Sequence, residues 1–168
     1  AGKEILEVYD TAFNVQYKED DTPLTQADQR ASDKIIELLH ETNIPVLSEE
    51  GEHFSFEKRK SLKQLWVVDP LDGTKEFVKR NGEFTVNIAL IENNKPVIGV
   101  IFSPVFKDLY FAANGWGSFK INRHDFIAIE KGLSKIPFEN LIHTASKLPH
   151  TNYPEVYTIV ASRSHLSS

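Results

Sequence analysis

The chain has 168 residues, of which 40% are hydrophobic, 26% charged and 11% aromatic, a composition typical of a globular domain with a single core. Its formal charge of −5, without a basic stripe, argues against nucleic acid as a partner. Cysteine is absent, which excludes disulfides and thiolate metal sites, and no run approaches the roughly 18 apolar residues of a membrane span. With no signal-peptide pattern at the start, we expect a cytoplasmic protein. The sequence carries no signal for the number of subunits.

The first quarter of the chain predicts two amphipathic helices. "AGKEILEVYD" has apolar residues at helical spacing, and a second helix begins near Thr25 and runs to about Glu41. Thr25 and Asp28 match the Ser/Thr-x-x-acid pattern of a capping box. Between the helices, "NVQYKEDDTP" predicts a loop or a short hairpin. After them, "PVLSEEGE" predicts a short extended piece that ends in two acids, Glu49 and Glu50.

From Leu65 the pattern becomes that of strands. "LWVVD" predicts a strand buried on both faces, and a short helix follows over Thr74 to Lys79. "FTVNIALI", "VIGVIF", "LYFAA" and "SFKI" then predict a meander, because turn residues separate them. We expect "HDFIAIE" to add a strand, residues 131–154 to be irregular, and "VYTIVASRSH" to form a strand. The predicted fold class is α+β, with two N-terminal helices packed on a largely antiparallel sheet.

Two carboxylates follow the predicted buried strand in "WVVDPLDGTKEF". Pro70 removes a backbone donor and fixes its own φ, so the strand turns after Asp69 and Asp72 returns to the same crevice. Two like charges at short range repel unless a cation lies between them. Mg²⁺ prefers such oxygen ligands, and the backbone carbonyl of Leu71 is a further candidate ligand.

The residues after Asp72 predict a phosphate site. Gly73 and Thr74 at a helix start offer backbone N–H groups and the positive end of a helix dipole, and glycine permits close approach. Metal ligands beside such a site indicate metal-assisted phosphoryl hydrolysis.

Simpler interpretations remain open at this point. A bare Asp-x-x-Asp at a strand-to-helix turn is typical of helix capping, with both acids solvated. Asp28 is equally explained as the acid of its capping box, and Glu50 as a solvent-facing residue. Read alone, His165 is an exposed histidine near the end of the chain.

Four stretches carry a family resemblance: "PLTQAD", "VLSEEGE", "DPLDGTKEFVKRNGEFTVNIALI" and "SRSH". The central block resembles the Asp-Pro-Ile/Leu-Asp-Gly-Thr signature of the lithium-sensitive, magnesium-dependent phosphatases of the inositol monophosphatase superfamily. Within it, the Lys-Glu-Phe after Thr74 is most similar to the 3′(2′),5′-bisphosphate nucleotidases of the CysQ type. The resemblance extends from about Tyr9 to His165.

The resemblance implies a metal site of two or more Mg²⁺ ions. Glu49, Asp69 and the carbonyl of Leu71 would hold the first ion. Asp69 would bridge to a second ion, which Asp72 also binds.

The resemblance also implies catalytic and substrate-binding roles. Asp28 and Thr74 would orient and deprotonate the attacking water, and Gly73 and Thr74 would receive the phosphate through backbone N–H groups. His165 would contact the nucleotide. The predicted substrate-binding set is therefore Glu49, Leu71, Asp72, Gly73, Thr74 and His165.

The chain departs from the family pattern in its later part. Residues 1–168 are predicted to form the N-terminal, metal-binding α+β half of a sugar-phosphatase-like layered α/β sandwich, with 156–168 beginning the second half. The family's Trp-Asp-x-Ala-Ala/Ser-Gly and Gly-Ser-Ser-x-Lys elements are not in the sequence. We therefore expect the 168-residue form to be inactive or severely impaired, because its second metal lacks a carboxylate.

The resulting functional prediction is a magnesium-dependent phosphatase. It would hydrolyse the 3′-phosphate of adenosine 3′,5′-bisphosphate to give AMP and phosphate, by two-metal activation of water. Two alternatives stay open: an inositol or sugar monophosphatase of the same superfamily, and a non-catalytic module that binds metal or phosphate.

Overall fold

The computed structural model describes residues 1–17, 23–51 and 54–149. Helices in these ranges are α1 Gly2–Tyr9, α2 Gln26–His40, α3 Phe56–Ser61, α4 Thr74–Val78, α5 Arg123–Ile129 and α6 Phe138–Thr144, with a 3₁₀ helix at Glu130–Lys135. Strands are β1 Val15–Tyr17, β2 Pro23–Thr25, β3 Val46–Ser48, β4 Gln64–Asp72, β5 Thr85–Glu92, β6 Lys95–Ser103, β7 Asp108–Ala113, β8 Gly117–Ile121 and β9 Ser146–Leu148.

A seven-stranded sheet in the order β3-β4-β5-β6-β7-β8-β9 organises the fold. β3 runs parallel to β4, and every other neighbouring pair is antiparallel. The β5–β6 turn consists of Asn93 and Asn94, which both have positive φ, at 48° and 63°. Asparagine tolerates this conformation, and such two-residue turns match the twist of antiparallel strands. The prediction of an α+β fold with a largely antiparallel sheet is confirmed.

The N-terminal segment also agrees with the sequence pattern. β1 and β2 pair as a short antiparallel hairpin. Helix α2 begins immediately after Thr25, whose side chain accepts a hydrogen bond from the first turn, while Asp28 accepts one from the backbone of Thr25. This is the predicted capping box, and it fixes the start of the helix.

The larger hydrophobic cluster packs α1 and α2 on one face of the sheet, where α1 contacts α2 and α2 contacts β4. Its buried members come from α1, α2, β4, α4, β5 and the residue before β5: Ile5, Val8, Ala27, Ala31, Ile35, Val68, Leu71, Phe77, Phe84 and Val86. Because the same cluster includes Ala27 of α2 and Leu71 of β4, burial brings the start of α2 against the end of β4.

A second cluster lies under α5 and α6. It contains Leu109, Phe111, Phe119, Ile121 and Phe126. The rings of Phe111 and Phe119 stack across β7 and β8, with their centroids 5.3 Å apart. This cluster completes the layer of helices on the later strands of the sheet.

Two predictions about the later segments are wrong. "HDFIAIE" is helix α5 rather than a strand: the Asn122 side chain accepts a hydrogen bond from the backbone of Asp125 at 3.1 Å, and Phe126 is buried. A short apolar run does not distinguish the two structures by periodicity, and here the N-cap decides. Residues 131–154 are not simply irregular, since they include α6 and β9, and β9 pairs with β8.

The predicted strand "VYTIVASRSH" lies outside the described residues. Within the described ranges, no helix has the length and apolar character needed to cross a lipid bilayer.

Candidate active site

Asp28 is the most buried acid of the site, with 1% of its surface exposed. Its Oδ2 atom accepts hydrogen bonds from the backbone N–H of Thr25 at 2.8 Å and from the Thr25 hydroxyl at 2.6 Å. Its Oδ1 atom accepts from the hydroxyl of Thr74 at 3.1 Å. Burial raises the pKa of Asp28 above its ordinary value, against the opposing effect of these hydrogen bonds. One carboxylate thus joins the start of α2 to the start of α4.

The end of β4 is irregular at the two aspartates. Asp69 pairs with Asn87 and Asp72 pairs with Thr85, and the register shifts between the two acids. Pro70 cannot donate to the ladder, which accounts for the break. The backbone N–H of Leu71 donates to Oδ1 of Asp69 at 3.2 Å. The prediction that the strand turns at Pro70 is wrong, because β4 continues to Asp72. The irregularity nevertheless keeps both acids in the same strand pair, as the shared crevice required.

Gly73 and Thr74 form the junction between β4 and α4. Gly73 has φ of 97°, and a Cβ there would lie 3.1 Å from the carbonyl oxygen of Glu83. Both the backbone conformation and the lack of space require glycine. The Thr74 hydroxyl lies within hydrogen-bonding distance of Asp28 and of the Leu71 carbonyl oxygen, at 3.1 and 3.2 Å. A hydroxyl has a single proton, so it donates to one of these acceptors at a time.

An acidic cluster surrounds Asp69. The backbone N–H of Glu49, directly after β3, donates to the carbonyl oxygen of Val68 at 3.0 Å, which places Glu49 beside the end of β4. Burial, followed by repulsion from Glu49, Asp72 and Glu50, raises the pKa of Asp69 from 3.8 to about 7. The negative charge is therefore disfavoured in this cluster without a cation.

The donor set fits a hard divalent cation in chemistry and charge, since it consists of carboxylates and a backbone carbonyl. Within the described ranges, however, no three His, Cys, Asp or Glu side chains already form a group that could hold a metal ion. The raised pKa of Asp69 is the observation that favours a cation.

The structure thus brings most of the predicted residues together. Hydrogen bonds connect Asp28, Thr74 and Leu71, and charge repulsion couples Glu49 and Asp72 to Asp69. Gly73 lies between Asp72 and Thr74 in the sequence and so connects the acidic cluster to the hydrogen-bonded residues. His165 lies outside the described residues.

Two polar residues of β5 were not among the predicted site residues. Asn87 donates from Nδ2 to Oδ2 of Asp72 at 2.9 Å, and Thr85 donates from Oγ1 to Oδ1 of Asn87 at 3.1 Å. The available signal was their spacing of two in the otherwise apolar stretch "FTVNIALI", which places both side chains on one face of the strand.

The chain resembles known proteins in sequence and in structure. It is 55% identical over 119 residues to the 3′(2′),5′-bisphosphate nucleotidase CysQ of Salmonella typhimurium, covering 68% of this chain and 48% of the relative. The CysQ of Haemophilus influenzae is 44% identical over 122 residues, covering 71% of this chain and 45% of the relative. The chain therefore spans about half the length of these curated relatives.

A solved structure of a CysQ protein is similar to nearly the whole chain. The crystal structure of CysQ from Bacteroides thetaiotaomicron, a bacterial member of the inositol monophosphatase family, matches with a TM-score of 0.80 and 42% identity. The match covers 99% of this chain and 59% of that one. The model of the inositol monophosphatase family matches residues 1–162. The chain therefore belongs to the inositol monophosphatase family.

Proposed function

We propose that this chain belongs to a magnesium-dependent phosphatase that removes the 3′-phosphate of adenosine 3′,5′-bisphosphate, giving AMP and phosphate. The observation that carries the proposal is the partly buried Asp28–Thr74 hydrogen bond, together with the acidic cluster around Asp69. The nucleotide is chosen because the CysQ relatives are bisphosphate nucleotidases by name.

Glu49, Asp69 and the Leu71 carbonyl would hold the first Mg²⁺, and Asp69 and Asp72 the second. When bound, the ions supply charge neutralisation at the phosphate and a lowered pKa of the attacking water. The raised pKa of Asp69 supports this assignment, because burial and then repulsion from the neighbouring acids disfavour its negative charge without a cation.

Asp28 and Thr74 would orient the attacking water and accept its proton. Thr25 occupies Oδ2 of Asp28 with two hydrogen bonds, which leaves Oδ1 directed to the Thr74 hydroxyl. Thr74 would orient the water while Asp28 accepts the proton through the hydroxyl. The raised pKa of Asp28 makes it a better proton acceptor than an exposed aspartate, because a general base works best when its pKa approaches the working pH.

The phosphate would lie against the junction of β4 and α4. There the backbone N–H groups of Gly73 and Thr74 would donate to its oxygens, in the backbone conformation that Gly73 permits with its φ of 97°. His165 is proposed to contact the nucleotide.

The test is phosphate release by the full protein that the gene encodes, with the 168-residue chain measured in parallel. We expect hydrolysis of adenosine 3′,5′-bisphosphate that requires Mg²⁺ and is inhibited by Li⁺. A higher rate on inositol 1-phosphate than on the nucleotide would instead favour the monophosphatase alternative. Mg²⁺ or phosphate binding without hydrolysis of either substrate by the full protein would favour a non-catalytic binding module and overturn the proposal.

A further inference from the structure

The amide side chain of Asn87 lies between a hydroxyl and a carboxylate of the site. Its Nδ2 atom donates to Oδ2 of Asp72 at 2.9 Å, and its Oδ1 atom accepts from the Thr85 hydroxyl at 3.1 Å. The two contacts fix the orientation of the Asn87 amide, since Thr85 donates to its oxygen and its nitrogen donates to Asp72. In the flipped orientation, the amide oxygen would face the carboxylate, where the two acceptors repel.

The strand register produces this chain of contacts. Asp72 pairs with Thr85 and Asp69 pairs with Asn87, so both acids lie opposite polar residues of β5. Thr85 and Asn87 are two residues apart and therefore share a face of the strand. β4 is irregular between its two acids, whereas the regular strand β5 gives their neighbours a fixed spacing.

The amide is well suited to this place because it donates without carrying charge. Asp69 and Asp72 repel each other, and Glu49 adds to the same repulsion. A lysine or arginine here would neutralise an acid and compete with a cation, whereas the Asn87 amide fixes one carboxylate oxygen and keeps its charge for a metal.

We propose that Asn87 is a positioning residue for Asp72, and that Thr85 acts through Asn87 by fixing the direction of its amide. This inference rests on the proposed function, because it assigns Asp72 to a bound Mg²⁺. Asn87 holds Oδ2 of Asp72 and thereby fixes the orientation of the carboxylate that would bind the ion. Neither Asn87 nor Thr85 is proposed to touch substrate.

The experiment is a Mg²⁺ titration of the melting temperature of the full protein that the gene encodes, which gives an apparent Kd without any assay of activity. Asn87→Leu keeps approximate size and removes the amide, and we expect Mg²⁺ binding to weaken between about 10-fold and 100-fold, the range for loss of a residue that orients a metal ligand. Thr85→Val should weaken binding less, and Thr85→Ser should restore it, because serine keeps the hydroxyl.

A double-mutant cycle tests the direction of the contacts. If Thr85 acts through Asn87, then Thr85→Val adds nothing in the Asn87→Leu background. Additive effects of the two substitutions would overturn the role of Thr85. Thr85→Val also keeps the inference testable if Asn87→Leu does not fold.

The matched control lies at the other end of the same strand pair. Gln64 donates from Nε2 to Oε1 of Glu92 at 2.9 Å, an amide–carboxylate contact between β4 and β5. Gln64→Leu should leave the apparent Kd unchanged. Equal Kd values for Asn87→Leu and the unchanged protein would overturn this inference alone, whereas a protein without any Mg²⁺ response would overturn it together with the metal assignment.

Discussion

The two ends of the β4–β5 pair carry the same type of contact in different surroundings. At the far end, defined by Gln64 and Glu92, an amide donates to a half-buried carboxylate across the strands. At the site end, defined by Asp69, Asp72, Thr85 and Asn87, an amide donates to a carboxylate that contributes to the repulsion at a neighbouring acid. The hydrogen bonds have equal lengths of 2.9 Å, so the difference lies in the charges around them.

The charges around a polar contact therefore decide whether the contact can affect metal binding. Both contacts are exposed, so water competes for their partners and each contributes little to stability. In the acidic cluster, the same contact orients a group whose charge is costly without a cation. A substitution at the site, compared with the matching substitution at the far end or on an exposed surface, distinguishes an effect on function from an effect on stability alone.

The largest effect is expected at Asp28. Asp28→Asn removes the proposed proton acceptor and should lower kcat by about 100-fold to 10,000-fold, the usual contribution of general-base catalysis. The control is Asp33→Asn on the same helix, where Asp33 is exposed and accepts from Gln29. Steady-state kinetics of phosphate release by the full protein measures both variants. Equal rates for the two would contradict the assignment of Asp28.

The next effect concerns the acid at the centre of the cluster. Asp69→Asn should reduce Mg²⁺-dependent hydrolysis by at least about 100-fold, since a direct ligand contributes no less than a residue that orients one. Glu92→Gln, which changes the carboxylate of the far end, should retain the activity. The measurement is kcat/KM at several Mg²⁺ concentrations, and full turnover by Asp69→Asn would exclude the proposed metal site.

Alanine substitutions at two glycines, Gly73 in the site and Gly115 in a surface turn, should differ in their effect on the free energy of unfolding. Gly73→Ala should destabilise the fold by about 1–3 kcal/mol, because φ is 97° and the new Cβ would lie 3.1 Å from a backbone oxygen. Gly115, in the β7–β8 turn, has φ of 82°, and a Cβ added there would meet nothing within 4 Å, so Gly115→Ala should cost less. Urea unfolding gives both values. A greater loss at Gly115 would show that crowding is not the cause at Gly73.

The smallest effect is a dependence of metal-free stability on pH. The pKa of Asp69 is raised from 3.8 to about 7 in the folded protein, so between these values the folded state keeps a proton that the unfolded state has released. The free energy of unfolding should therefore decrease as the pH rises from about 4 to about 7. Asp28, whose pKa is also raised, adds to the slope. The partial exposure of Asp69 keeps the effect modest.

Melting temperatures in a chelator, measured across this range, test the sign. Asp69→Asn should reduce the slope without removing it, because Asp28 remains. A melting temperature that rises across the same pH range in the unchanged protein would contradict the direction given for Asp69.

The sequence predicted the elements whose signals are local and strong. The capping box at Thr25 and the apolar run before Asp69 each defined an element that the structure contains. The predicted burial of β4 on both faces is wrong, since Val67 is exposed. Helix α5 was missed because its apolar residues are too few to show a period, and its start depends on the side chain of Asn122.

The candidate site was predictable where a motif carries it and not where strand register does. The block from Asp69 to Thr74 is contiguous, so its residues could be named from the sequence. Asn87 reaches the site only through pairing of β5 with β4, a long-range contact that the sequence pattern does not specify. Asp28 supported two interpretations, and the structure shows a residue that caps a helix with one oxygen and meets Thr74 with the other.

Because the two carboxylate oxygens of Asp28 have different partners, the site is connected to the backbone N–H groups at the start of α2. The N–H of Thr25 is held by Oδ2 of the same carboxylate whose Oδ1 meets Thr74. A ligand that orders Thr74 would therefore slow hydrogen–deuterium exchange at Thr25 and in the first turn of α2, although it touches neither. Occupancy of the site would then be readable from the protection of one helix end.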